Sequence, residues 1–235
     1  MRILTVIPAR AGSKGLSGKN IRQLAGKPLI TWTLDVARAA GLNPEDVIVS
    51  TDSEQIAEVV RAAGGNCPFL RPAEFATDDA SSLVVMQHAL AFAERSSGQY
   101  DWLLLLQPTS PLRNGDDIKR VIHIAQNNHL ADSVVSVSEE PSYHPNFAKY
   151  VDPSGCLKPF GAATLESARR QDCQPPAVFN NGAIYLTRRD ILQRGMILGD
   201  YSIAYIMPKE RSIDIDDEFD FVVAQAIIER REHMA

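Results

Sequence analysis

Cysteine is scarce in this sequence and histidine is scattered. Cys67, Cys156 and Cys173 are odd in number and form no CxxC pair, which argues against a disulfide framework or a zinc site and fits a reducing compartment. They are read as packing residues. His88, His123, His129, His144 and His233 compose no HExxH, and there is no nucleophile elbow, so no covalent intermediate is expected. No apolar run approaches the length that crosses a bilayer, and the opening run at 3–7 is too short for the core of a signal peptide. The chain is therefore expected in the cytoplasm, with no membrane partner. An excess of positive charge is also missing. A net charge of -5 argues against a nucleic-acid partner, which normally needs a basic face. No internal repeat or low-complexity tract occurs.

What is present is an ordinary globular composition. With 235 residues, 45% hydrophobic and 23% charged, the chain can bury a large core, and one domain over 1–235 is expected. Its most distinctive stretch lies at 8–20. The apolar run Ile3-Leu4-Thr5-Val6-Ile7 predicts a buried strand, and from its carboxyl end leaves a loop with Gly12, Gly15 and Gly18 among Arg10, Lys14 and Lys19. Such a loop suits a polyphosphate, because glycine lets amide N–H groups turn inward while the cations add charge. A mobile surface loop would share these features, and glycine and charge alone do not separate the two. The loop is not a Walker A motif: Ser13 stands where the first glycine would be, and Asn20 where Ser or Thr would follow the lysine.

Further along, helices and strands alternate. Lys27-Pro28 is read as opening a helix to about Ala40, Val47-Ile48-Val49 as a strand, and Thr51-Asp52-Ser53 as capping oxygens for a helix ending near Gly64-Gly65. Pro68-Phe69-Leu70 reads as a short third strand, and Asp78 and Asp79 as caps of a helix to about Arg95. Trp102-Leu103-Leu104-Leu105-Leu106 is apolar without a break, as expected of a central strand covered on both faces. Asn114-Gly115-Asp116 leads into a helix to about Asn128, and Ser133-Val134-Val135-Ser136-Val137 supplies another strand. The expected fold is a doubly wound, mostly parallel α/β sheet, whose ligands gather beyond the carboxyl ends of the strands. The rhythm breaks at about 139–181, read as an inserted lid or dimerisation arm with two short strands around 150–157. A disordered linker is the competing reading, opposed by Phe147, Tyr150, Leu157, Phe160 and Phe179 as apolar anchors. The segments 181–186 and 202–207 then return as strands.

Ser212-Ile213-Asp214-Ile215-Asp216-Asp217 holds the second chemical constellation. Alternation places Ile213 and Ile215 on one face and Asp214 and Asp216 on the other, projecting together from a strand end. A hard cation, Mg²⁺, would relieve their repulsion and join protein to nucleotide. Capping of the helix that follows is the competing role, and it fits Asp217. A cationic glycine loop and an acidic pair in one α/β domain together point to nucleotidyl transfer.

The segments at 8–15, Lys19-Asn20, Leu70-Arg71-Pro72-Ala73-Glu74, Gln107-Pro108-Thr109-Ser110-Pro111-Leu112-Arg113, Asn181-Gly182-Ala183-Ile184-Tyr185 and Ser212-Ile213-Asp214-Ile215-Asp216 together resemble the CMP-N-acetylneuraminate synthetases, or N-acylneuraminate cytidylyltransferases. The resemblance runs nearly the whole chain in order. It implies that Arg10, Ser13, Lys14 and Lys19 hold the CTP triphosphate, that Asn20, Arg71 and Ser82 recognise the cytidine, and that Gln107, Arg170 and Tyr185 contact the sugar acid. It also implies that Asp214 and Asp216 bind Mg²⁺ and that the arm forms a homodimer. Arg10, Lys19, Asp214 and Asp216 would carry catalysis, with CTP and a nine-carbon 2-keto sugar acid giving the CMP-sugar and pyrophosphate. The wider family also activates legionaminic, pseudaminic and deoxyoctulosonic acids. Many of its members carry an arginine two residues before the Asn-Gly pair, where this chain has Phe179. A GT-A type glycosyltransferase and a non-catalytic nucleotide-binding regulator are the rival classes.

Overall fold

The computed structural model describes residues 1–12, 15–140, 144–160 and 173–233. Ser13, Lys14 and Arg170, three of the expected ligand contacts, lie outside the described residues. Six strands form one sheet: β1 (Ile3–Pro8), β4 (Val47–Ser50), β5 (Trp102–Leu106), β6 (Ser133–Glu139), β9 (Val178–Arg188) and β10 (Ser202–Ile206), in the order β10-β6-β9-β5-β1-β4. Neighbouring pairs are parallel except those of β9, which runs against both β5 and β6. The alternation of side chains across each strand supplies two hydrophobic layers. Leu104 and Leu106 of β5 pack with α1 (Leu29–Ala39), α2 (Glu54–Ala62) and α4 (Gly115–Asn127), whereas Leu103 and Leu105 pack with α3 (Ser82–Ser97). A third cluster seats α6 (Glu218–Glu232) through Phe221, Ala224 and Ile228 against Leu16, Leu24, Leu29 and Leu112. Helices on both faces of a sheet with β5 at its middle give the α/β class expected.

Several local expectations change. Lys27–Pro28 is not the first turn of a helix but a two-residue strand, β3, paired with β2 (Gln23–Leu24), and α1 starts only at Leu29. The ring of Pro28 still presets the chain just ahead of the helix, in the N-cap position. Pro68-Phe69-Leu70 makes a single parallel bridge from Leu70 to Thr51, with Leu70 itself 48% exposed. Asp78 and Asp79 do not cap α3, whose N-cap is Ser81. Asp78 is drawn instead to Arg10, at 2.7 Å. Cys156 is exposed, so it is not a packing residue, whereas Cys173 is buried. The capping of α2 by Ser53 and of α6 by Asp217 is as the sequence indicated, and Asn114 caps α4. Residues 149–159 form a hairpin, β7 (Lys149–Val151) with β8 (Leu157–Pro159), close to the two short strands expected.

Leu104 is fully buried at the centre of the larger layer. Leu104→Ala should cost about 3 kcal/mol through lost transfer energy and a residual cavity, read as a lower denaturation midpoint in urea.

Candidate functional site

The carboxyl ends of β1 and β5 open into a cleft of about 200 Å³. Arg10, Lys19 and Asn20 reach it from the loop after β1, and Gln107, Pro108 and Thr109 from the loop after β5. Arg71 and Ser82 close it, Arg71 from beyond the Thr51–Leu70 bridge and Ser82 from the first turn of α3. Six of the residues expected from sequence to bind nucleotide or sugar thus share one cavity. Its polarity is uneven, with three cationic side chains among its lining residues.

Two of these cations, Arg10 and Lys19, are held from behind. Arg10 donates to the Thr77 carbonyl at 3.0 Å and to Asp78 at 2.7 Å. Asn20 is buried, and its amide donates to the Arg10 carbonyl at 3.0 Å, which ties the two ends of the loop together. Lys19 lies in a one-turn 3-10 helix (Lys19–Ile21) entered through Gly18 at φ 62, a left-handed conformation that glycine adopts without strain. Its ammonium donates to the Ile215 carbonyl at 2.5 Å and lies 3.7 Å from the Asp216 carboxylate. Gly15 abuts the Asp216 carbonyl so closely that a Cβ would collide with it. Arg22 adds a bidentate pair with Glu218, 2.6 Å on each arm. The glycine loop and the acidic segment are therefore one assembly although about 200 residues apart in sequence.

The acidic segment itself departs from expectation in form. It is extended but not a strand of the sheet, anchored where the Ile215 N–H donates to the Thr109 carbonyl at 2.8 Å. Ile215 is fully buried as the alternation predicted, but Asp214 is half-buried and Asp216 exposed. The two carboxylates thus meet different solvents. Burial pushes the Asp214 carboxyl above the ordinary aspartate range, with the Asp216 and Asp220 charges adding to the rise, while a Thr109 hydrogen bond and Lys19 oppose it. One Asp214 oxygen, Oδ1, is buried with no hydrogen-bond partner among the described residues. An orphaned, anionic hard oxygen beside a second carboxylate is a fitting donor for a divalent cation. Among the described residues no cluster of three or more His, Cys, Asp or Glu gathers. The chain would therefore give a cation two carboxylates and leave other positions to substrate oxygens and water, the habit of magnesium.

Gly182 joins the acidic segment to the sheet. At φ 73 it makes a left-handed turn where the pairing of β6 with β9 shifts register, and a Cβ there would lie 2.7 Å from Asp214 Oδ2 and 2.9 Å from Gln107 Oε1. The missing side chain lets both groups approach the backbone. Tyr185, three residues on, is half-buried, and burial followed by the Asp214 charge holds its phenol above the ordinary range. Tyr185, Asp214 and Asp216, expected in the site, do not line the cleft. Beneath them Arg113 is wholly buried, donating to the Gln107 carbonyl at 2.6 Å, the Ala183 carbonyl at 3.1 Å and Thr33 at 2.6 Å. Burial pushes its guanidinium down to about 9, opposed by the Asp214 and Asp117 charges. It remains protonated at neutral pH.

Sequence reasoning missed Thr109 and Gly182 as individual contributors, although both stood inside quoted motifs. It also took Asp52 for a cap. Asp52 accepts the Ala11 N–H at 2.8 Å, and Ser53 does the capping. An acid directly following an apolar strand was the available signal.

The family model described as Cytidylyltransferase matches residues 4–216. An N-acylneuraminate cytidylyltransferase of Escherichia coli is 37% identical over 233 residues, covering 98% of this chain and 53% of its own length. The chain thus spans about half of that relative. A CMP-N,N'-diacetyllegionaminic acid synthase of Legionella pneumophila is 38% identical over 232 residues, covering 97% of each. A CMP:2-keto-3-deoxy-manno-octonic acid synthetase complexed with CTP is similar in fold, with a TM-score of 0.71 at 19% identity, covering 98% of this chain and 100% of that one.

Two outcomes test the geometry. Gly182→Ala should lower the melting temperature and inactivate the site together, since the new methyl both strains the turn and displaces Asp214. Asp214→Asn, compared with the parent in EDTA, should melt higher at neutral pH. A raised native pKa means that ionised Asp214 opposes folding. That penalty is absent below the unfolded value of about 3.9 and complete above the raised native one, so the difference should vanish in acid.

Proposed function

This chain belongs to the cytidylyltransferase family, and from that premise we propose that it activates a nine-carbon 2-keto sugar acid, N-acetylneuraminate or a close relative, with CTP. The anomeric hydroxyl attacks the α-phosphorus and gives up its proton to solvent, the bond from the α-phosphorus to the oxygen bridging to the β-phosphate breaks, and CMP-sugar and pyrophosphate leave. The observation that carries the reading is the meeting of Arg10, Lys19 and Arg71 with Gln107 in one cleft whose wall is bonded to the Asp214 segment.

In this reading the side chains divide the work. Arg10 and Lys19 line the cleft toward the triphosphate and neutralise its charge, with Ser13 and Lys14 completing the loop. Asn20, Arg71 and Ser82 read the cytidine, while Gln107, Tyr185 and Arg170 face the sugar acid. Two polyanions must be brought together, so positioning and charge compensation supply much of the rate. Asp214 and Asp216 would hold Mg²⁺, which when bound screens the phosphates and makes a nearby hydroxyl more acidic. No side chain is assigned as general base.

A 5,7-diacylamino sugar acid is a second reading, favoured by Phe179. Its ring is 40% exposed on the strand that leads into Gly182 and Tyr185, and an apolar ring matches acyl and deoxy substituents better than a hydroxylated tail. The exposed Tyr150, Val151, Leu157 and Phe160 of the β7–β8 hairpin support the arm as the face of a homodimer, since apolar side chains grouped on one projection are seldom left to water.

Pyrophosphate release from CTP against N-acetylneuraminic, legionaminic, pseudaminic and deoxyoctulosonic acids tests the proposal; turnover with none of them, or with UTP in place of CTP, would overturn it. Asp214→Asn or Asp216→Asn should lower kcat about 100-fold or more, and Lys19→Ala should raise KM for CTP about tenfold. Paired Leu157→Asp and Phe160→Asp should yield a monomer by light scattering.

A further inference from the structure

We infer that Asp52 is a positioning residue for the nucleotide, a carboxylate that fixes the phosphate-side backbone at Ala11 and the base-side guanidinium of Arg71 in one relation without touching the substrate. The inference rests on the reading of Arg71 as a nucleotide contact. Asp52 follows β4, next to Thr51, whose carbonyl accepts the Arg71 N–H at 2.7 Å. Its Oδ1 accepts the Ala11 N–H at 2.8 Å, and the same oxygen lies 4.0 Å from Arg71 Nη2. One atom therefore faces both arms of the cleft. Asp52 is not among the residues that line it.

Arg71 needs such a partner. Its side chain is 3% exposed, and its Nε and Nη2 make no hydrogen bond among the described residues although the residue lines the cleft. A buried guanidinium with unused donors is aimed and costly, and it stays aimed only if nearby charge compensates it. Burial weakens its hold on the proton and the neighbouring Arg10 cation does so further, while the Asp52 charge opposes both. Helix capping does not account for the carboxylate, because Ser53 Oγ accepts the Ile56 N–H that α2 presents. The Ala11 N–H requires an acceptor but not a charge; the charge has its use at Arg71.

The experiment is calorimetric titration of the full chain with CTP, which needs no sugar acid. Asp52→Asn keeps an acceptor for Ala11 and removes only the charge. It should weaken CTP binding about tenfold, equal to 1.4 kcal/mol, with the chain still folded by circular dichroism. Asp52→Glu, which keeps the charge, should recover most of that affinity. Arg71→Gln should weaken binding as well, and the double variant should be no weaker than Arg71→Gln alone, because the carboxylate acts through the guanidinium. If Asp52→Asn fails to fold, Asp52→Ser serves in the same cycle. Near-parental binding by the charge-removing variant, with Arg71→Gln impaired, would overturn the role of Asp52 and leave that of Arg71 standing. Additive losses in the double variant would overturn it too. Unimpaired binding by Arg71→Gln would overturn the nucleotide reading of Arg71 and the inference with it.

Discussion

The Lys19 ammonium, bonded to the Ile215 carbonyl and within reach of Asp216, is the interaction on which the site depends. It joins a cationic loop at one end of the chain to an anionic segment at the other. Neither could keep its geometry alone: the loop is rich in glycine, and the acidic segment is extended coil outside the sheet. Arg22 with Glu218 and the close packing of Gly15 reinforce the junction. A lysine shared between a protein anion and a bound polyphosphate would keep the cleft neither fully cationic nor fully anionic, so that nucleotide and metal can both be accommodated.

Much of this was legible beforehand because it depends on strong local signals. The unbroken apolar run at 102–106 predicted a central strand, and the five other strands of the sheet were likewise anticipated. The glycine loop and the Asp214-Asp216 pair announced themselves by residue type and spacing. What could not be read was set by tertiary competition. Asp78 has the chemistry of a helix cap, but an arginine from a distant loop captured it. Lys27-Pro28 has the look of a helix start, yet the chain first makes a two-residue ladder with 23–24. The unlike surroundings of Asp214 and Asp216 follow from how Thr109 and Gly182 pack around one and not the other, and alternation along the chain carries no information about that.

The buried groups show where stability has been given up for geometry. Arg113 satisfies two backbone carbonyls and a threonine, but it brings a full charge into the core. Asp214 keeps an oxygen without a hydrogen-bond partner among the described residues. Desolvated charges of this kind oppose folding. Here they fix the ends of β5 and β9 relative to each other and leave one anionic oxygen ready for a cation.

The reversed strand has a consequence for how such a protein can change. Because β9 runs against β6, the segment between them leaves and returns at the same end of the sheet, the end that carries the cleft. Its base is closed by backbone pairing of Val137 with Asn180, Ser138 with Phe179 and Glu139 with Val178. That pairing depends little on what the intervening residues are. The chain between Glu139 and Val178 is thus joined to the sheet by a fixed ladder of hydrogen bonds, and a change of its length or sequence need not disturb the register of Gly182 and Tyr185.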